Sequence, residues 1–159
     1  MVQVIMEFDG LFRAGILAGE EFIVRFRAQP ALDALDALVD RAHLLARISL
    51  VRKLIIVVPS IMVPTISTGV IVLPSGGIGL GFSVRIMGAA ALLAFLLRAF
   101  VGTMPMNIKV NETWSADDPR ADWKRLVKRW EFTGMFRAAV ALLAFALLLV
   151  AVAVRIAWA

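Results

Sequence analysis

The chain has 159 residues, is 61% hydrophobic and carries a formal net charge of +5, whereas soluble domains are about 45–50% apolar. It therefore reads as one membrane domain spanning residues 1–159. Cysteine is absent and His43 is the single histidine, which excludes disulfides, thiolate or multi-histidine metal sites, iron–sulfur clusters and a cysteine nucleophile. No metal or cofactor is predicted. The positive charge is assigned to loops facing anionic lipid headgroups rather than to nucleic acid.

A helix needs about 20 mostly apolar residues to cross a bilayer. Four candidate spans occur along the chain. The first, about 8–27, is the unusual one, because it holds Asp9, Arg13, Glu20, Glu21 and Arg25. Each charge at mid-membrane costs about 2.5–3.5 kcal/mol, so this helix must turn a polar face into a bundle. The spacing allows internal pairing, Arg13 with Glu20 two turns on and Glu21 with Arg25 one turn on. Residues 28–53 place Leu32, Leu35, Leu38, Val39, Ala42 and Leu45 at helical spacing. This predicts an amphipathic helix at the membrane surface between spans 1 and 2.

The second span, 54–73, is uncharged and contains Pro59 and Pro64. Each proline removes a backbone hydrogen bond, with Ser60, Thr65, Ser67 and Thr68 nearby to compensate. A pocket is expected there, since broken helix backbone at membrane depth lines cavities. "PSGGIGLG" predicts a tight turn. The third span, 78–102, has twelve uncharged residues between Arg85 and Arg98. Residues 105–134 form a polar connection, with a short helix predicted over "ADWKRLVKRWEF". The fourth span, 135–157, contains the uncharged run Ala138–Val154 bracketed by Arg137 and Arg155.

The fold class expected is thus an all-α transmembrane four-helix bundle. Counted over residues 25–53, the first connection carries six Lys and Arg, as does the 105–134 connection, and the short 2–3 turn has none. The positive-inside rule then places both connections in the cytoplasm and both termini outside, in an inner (plasma) membrane.

Glu20 and Glu21 are the first functional candidates. Ionisable groups within spanning segments are functional hypotheses by default, and a carboxylate shielded from water can act as a general base near neutral pH. The competing reading is that both balance Arg13, Arg25 or Arg98 in a structural network. Trp114, Trp123 and Trp130 fit an interfacial aromatic belt, with Trp123 and Trp130 two turns apart on one face. His43 reads as a surface or packing residue.

Several stretches carry a resemblance: "AGEEF" and "QPAL" near the start, "LVRKLIIVVP" at the second span, then "PMNIKVNETW" and "DDPRADWKRLVKRWEFTGMFR". Together the chain resembles the anthrone-oxygenase-like family of small four-helix membrane proteins. The more specific half of the match comprises Pro105, Asn107, Asn111, Asp122, Trp123, Trp130 and Arg137. The resemblance implies cofactor-independent oxidation of an anthrone, as in fungal members of the family. Such chemistry needs an apolar pocket, a base and donors for a developing oxyanion. Glu20 or Glu21 is the expected base. Asn107, Asn111, Arg52 and Arg137 are the expected oxyanion donors, with Trp123 and Trp130 at the substrate. The expected partners are membrane lipids and a lipophilic aromatic or polyketide-like molecule, with a homo-oligomer or a larger membrane complex around it. The rival reading is a non-catalytic accessory subunit whose small-residue faces pack on partner helices or bind lipid or quinone.

Overall fold

The computed structural model describes residues 2–36, 40–71, 73, 80–118 and 121–157. They form six α-helices and two π-helical turns, joined into four long rods. The first rod is α1 (Val2–Ile23), a π turn (Val24–Ala28) and α2 (Gln29–Asp36). The second is α3 (Asp40–Ile71). The third is α4 (Leu80–Arg98), a π turn (Ala99–Thr103) and α5 (Met104–Thr113). The fourth is α6 (Trp123–Ala157).

Three of the rods are long and apolar enough to cross a membrane: Asp40–Ile71, Gly81–Thr113 and Trp123–Ala157. The first rod is not among them. Asp9, Arg13, Glu20 and Glu21 interrupt its apolar sequence. The chain is therefore all-helical, with a bundle architecture and three membrane-length helices.

The helices run further than the hydropathy pattern. Residues 28–53 are not one separate amphipathic helix. Their first part, α2, continues the first rod through the π turn, and their second part opens α3. α2 packs back on α3 and buries Leu32, whereas Ala42 and Leu45 of the expected stripe are exposed. Likewise the short helix expected over 121–132 is the start of α6, and α5 extends the third rod to Thr113. Hydropathy marks where a helix meets lipid, while backbone hydrogen bonding continues for as long as side chains beyond the bilayer support it. The turn expected over 74–81 falls largely outside the described residues.

The core is built from small and branched side chains. Ala14, Leu17 and Ala18 of α1, Ala91, Leu92 and Phe95 of α4, and Ala141, Ala144 and Leu148 of α6 are buried together. α4 and α6 pack most closely. A methyl group on Gly88 would lie 3.1 Å from Leu148 Cδ2, so the absence of a side chain there sets the α4–α6 distance. A second core, of Leu44, Ile48, Val51, Val110, Trp114, Trp123 and Val127, ties α3, α5 and the start of α6 together. Trp114 and Trp123 are thus interior residues, not parts of an exposed aromatic belt. Trp123 meets the buried His43 edge-on at 5.4 Å between ring centres, and His43 Nε2 accepts from Arg47 Nε.

Candidate ligand site

The charges of the first rod do not pair within it as the spacing predicted. Arg13 Nε donates to Asp9 Oδ2 at 2.7 Å, and Arg25 Nη1 donates to Gln29 Oε1. Arg98 stacks over the Phe136 ring, 5.8 Å from its centre. The partner of Glu21 is instead Arg137, 116 residues away. Arg137 Nε donates to Glu21 Oε1 at 3.0 Å, and Arg137 Nη2 donates to the same oxygen. Both side chains are buried. A pair taken out of water this far persists only when its geometry is good, and two donors on one oxygen supply that.

Three features of the local sequence bring these groups together. α1 runs antiparallel to α6, because Glu21 pairs with Arg137 while Glu7 approaches Arg155 within 2.5 Å. The π turn at 24–28 begins three residues after Glu21. A π turn adds a residue to the helical turn and re-aims the side chains beyond it; here the buried Gln29 comes to lie against Gly134, one turn of α6 before Arg137. The second π turn, 99–103, holds Gly102, where an added methyl would lie 2.8 Å from Thr133 Cγ2. That close approach presses Thr103 against the Arg137 region.

Arg137 is also part of a cavity wall. A cavity of about 160 Å³ lies between α3, the α4–α5 rod and α6. Ile55, Val58, Pro59 and Met62 form its α3 side, and Ala99, Phe100 and Met104 its α4–α5 side. Val63, Phe100 and Met104 are exposed on the molecular surface, so the cavity opens sideways between α3 and the third rod. Its polar lining comes from Thr103, Asn107, Trp130 and Arg137. An engineered apolar cavity of about 150 Å³ accepts benzene; the room here suits one aromatic ring, with the remainder of a larger molecule in the opening.

The prolines of α3 border this cavity, in keeping with their sequence position. The nearby hydroxyls do not repair the backbone that the prolines break. Ser60, Thr65, Ser67 and Thr68 donate to the carbonyls of Ile56, Ile61, Val63 and Pro64, at 2.7–2.9 Å. Pro59 leaves the carbonyl of Ile55 without its helical donor, and none of these four hydroxyls reaches it.

Of the expected substrate-binding residues, Asn107, Trp130 and Arg137 converge on the cavity. Three do not. Arg52 and Asn111 are exposed and lie outside its lining, and Trp123 belongs to the second core. Position along the helix axis, not helical face, explains the first two. Asn111 sits four residues beyond Asn107, past the cavity's end, and Arg52 precedes the α3 wall that begins at Leu54. Glu20 and Glu21 differ from each other. Glu21 is held by Arg137, whereas neither Glu20 oxygen has a hydrogen-bond partner among the described residues although both are buried. Neither glutamate lines the cavity. Thr103, whose hydroxyl is buried without a partner, is not anticipated by the sequence reading. Its only signal there is its place between Gly102 and Pro105.

No metal-binding group of three or more His, Asp or Glu occurs among the described residues. Compared with protein-family models, curated proteins and solved structures, the chain finds no match in any of the three.

Proposed function

We propose that the protein takes a lipophilic aromatic molecule from the bilayer through the opening between α3 and the third rod, and holds its polar oxygen at Arg137. One observation carries this reading. Arg137 spends Nε and Nη2 on Glu21 and has no protein partner for Nη1 among the described residues, while it lines an apolar cavity open to the side. Glu21 fixes the guanidinium, and the remaining donors are free for a ligand. Such fixed donors stabilise an oxygen on which charge develops.

Following the resemblance to anthrone-oxygenase-like proteins, the reaction proposed is cofactor-independent oxidation of an anthrone-like methylene. The methylene across the central ring from the carbonyl loses a proton to a carboxylate, leaving a delocalised enolate whose oxygen rests on Arg137. The carbanion adds dioxygen, and the resulting hydroperoxide loses water to leave the second carbonyl of a quinone. Glu20 is the base of this scheme, because its buried oxygens have no hydrogen-bond partner among the described residues. Since Glu20 is not part of the cavity wall, the scheme requires the guanidinium to shift when substrate enters. The first rod then spans the membrane with the others, at the inner membrane, with both termini outside.

The test is oxygen uptake by nanodisc-embedded protein supplied with an anthrone. Uptake above that of empty nanodiscs is expected, lost in Glu20→Gln and in the cavity-filling Met62→Trp. Binding without uptake would leave a lipophile-binding accessory subunit. The broad apolar exposure of Phe12, Phe22 and Phe26 on the first rod favours that second reading, since these residues offer a face to partner helices.

A further inference from the structure

The polar wall of the cavity has a fixed chemical sense. Trp130 Nε1 donates to Asn107 Oδ1 at 3.1 Å. An indole N–H can only donate, so Asn107 must turn its oxygen to Trp130. Its NH2 group then has no protein partner among the described residues, and Asn107 lines the cavity. Arg137 adds Nη1, another donor. The hydroxyl hydrogen of Thr103 rotates freely and can join as a third. No carboxylate lines the cavity.

Trp130 is itself held from behind. Arg47 lies over its ring, 5.8 Å from the centre, and Arg47 Nη2 donates to Asp33 Oδ1 at 3.0 Å and to Glu131 Oε1. The indole thus stands between the Arg47 ion-pair network and the cavity. It transmits a fixed orientation to the amide on the other side.

We infer that the Trp130–Asn107 hydrogen bond makes the α5–α6 wall a donor site for an anionic or carbonyl oxygen, with Trp130 as the positioning residue that sets this preference. The inference rests on the proposed cavity site. It narrows the ligand class to aromatic molecules carrying a phenolate, enolate or quinone oxygen. Ammonium groups, which can only donate, would leave these donors unpaired and are excluded on that ground.

The test compares two probes on nanodisc-embedded protein: 2-hydroxy-1,4-naphthoquinone, which is ionised at neutral pH, and its O-methyl ether. Wild type should prefer the anion by about tenfold, the size expected for one hydrogen bond to a charged group. Trp130→Phe keeps an aromatic wall but frees the amide to flip. It should reduce the preference to roughly threefold while ether binding is unchanged. Asn107→Leu should reduce it equally, and Asn107→Asp should abolish it. A preference that survives Trp130→Phe or Asn107→Leu would overturn the inference while leaving the cavity in place. Met62→Trp separates the two claims: it should remove binding of both probes. If Met62→Trp binds both like wild type, the cavity site itself is wrong, and the inference falls with it.

Discussion

Two buried charge clusters join the same pair of helices, one near each end of the uncharged run of α6, and they are built differently. Arg137 and Arg155 are about 27 Å apart at 1.5 Å per residue. At the Arg155 end, Glu7 sits between Arg155 at 2.5 Å and Arg85 at 4.0 Å. The cavity beside it is only about 20 Å³, roughly one water. At the Arg137 end, two glutamates face one arginine, a π turn stands on either side, and a cavity of about 160 Å³ adjoins. The first cluster has an excess of base and close packing; the second has an excess of acid and room. The difference teaches which charges hold helices in register and which are free for chemistry. A cluster that only fixes register has no need of a side opening, a broken helix or a carboxylate without a partner.

Substitutions can break this comparison, beginning with the largest effect. Arg137→Leu strands Glu20 and Glu21 together in the core, and should cost about 3–5 kcal/mol, the usual penalty for removing one partner of a buried pair. Thermal unfolding in detergent measures it. The double variant Arg137→Leu with Glu21→Leu should recover most of that loss, because no charged partner of the pair is then left behind. Glu7→Gln should destabilise by a similar order, again about 3–5 kcal/mol, since it removes the carboxylate that Arg85 and Arg155 share. It should leave probe binding at the other end unchanged, and a change there would erase the distinction between the two clusters.

Smaller effects sharpen it. Gly102→Ala places a methyl 2.8 Å from Thr133 Cγ2 and should cost about 1–3 kcal/mol through overpacking. It should also weaken probe binding, because it displaces the turn that carries Thr103. Gly19→Ala meets nothing within 4 Å and should be neutral or stabilising by about 0.5 kcal/mol. Glu20→Gln is the sharpest case. A carboxylate that holds α1 in place would be missed, whereas one kept for proton transfer would not. Unfolding should show no loss of stability with this variant, while oxygen uptake disappears.

Much of the architecture is legible directly in the residues. The uncharged runs at 54–73 and 138–154 mark their helices, and Pro59 marks a cavity wall. Pairing across the bundle is not legible. Glu21 has an arginine four residues on, and local spacing favours that partner. The structure pairs it with Arg137, because α1 and α6 lie antiparallel and the π turn swings Arg25 to Gln29. Composition alone sends tryptophans to the membrane surface, yet Trp123 fills the second core and Trp130 stands between the Arg47 ion-pair network and the cavity. Asn107, Trp130 and Arg137 stand out by resemblance and meet at one cavity. Arg52 and Asn111 carry similar chemistry and share a helical face with cavity residues, but lie beyond its ends along the helix axis, which residue types by themselves do not encode.

The most direct test is an experimental structure of the nanodisc-embedded protein with 2-hydroxy-1,4-naphthoquinone bound. The expected result is a ring between Pro59, Met62 and Phe100, with an oxygen in hydrogen-bonding reach of Arg137 Nη1 and the Asn107 amide, and Glu21 still holding Arg137 Nε. A cavity closed by α3 and the third rod, with the probe bound elsewhere or Arg137 fully engaged by both glutamates, would contradict it and reduce the Arg137 cluster to the same structural role as that of Glu7.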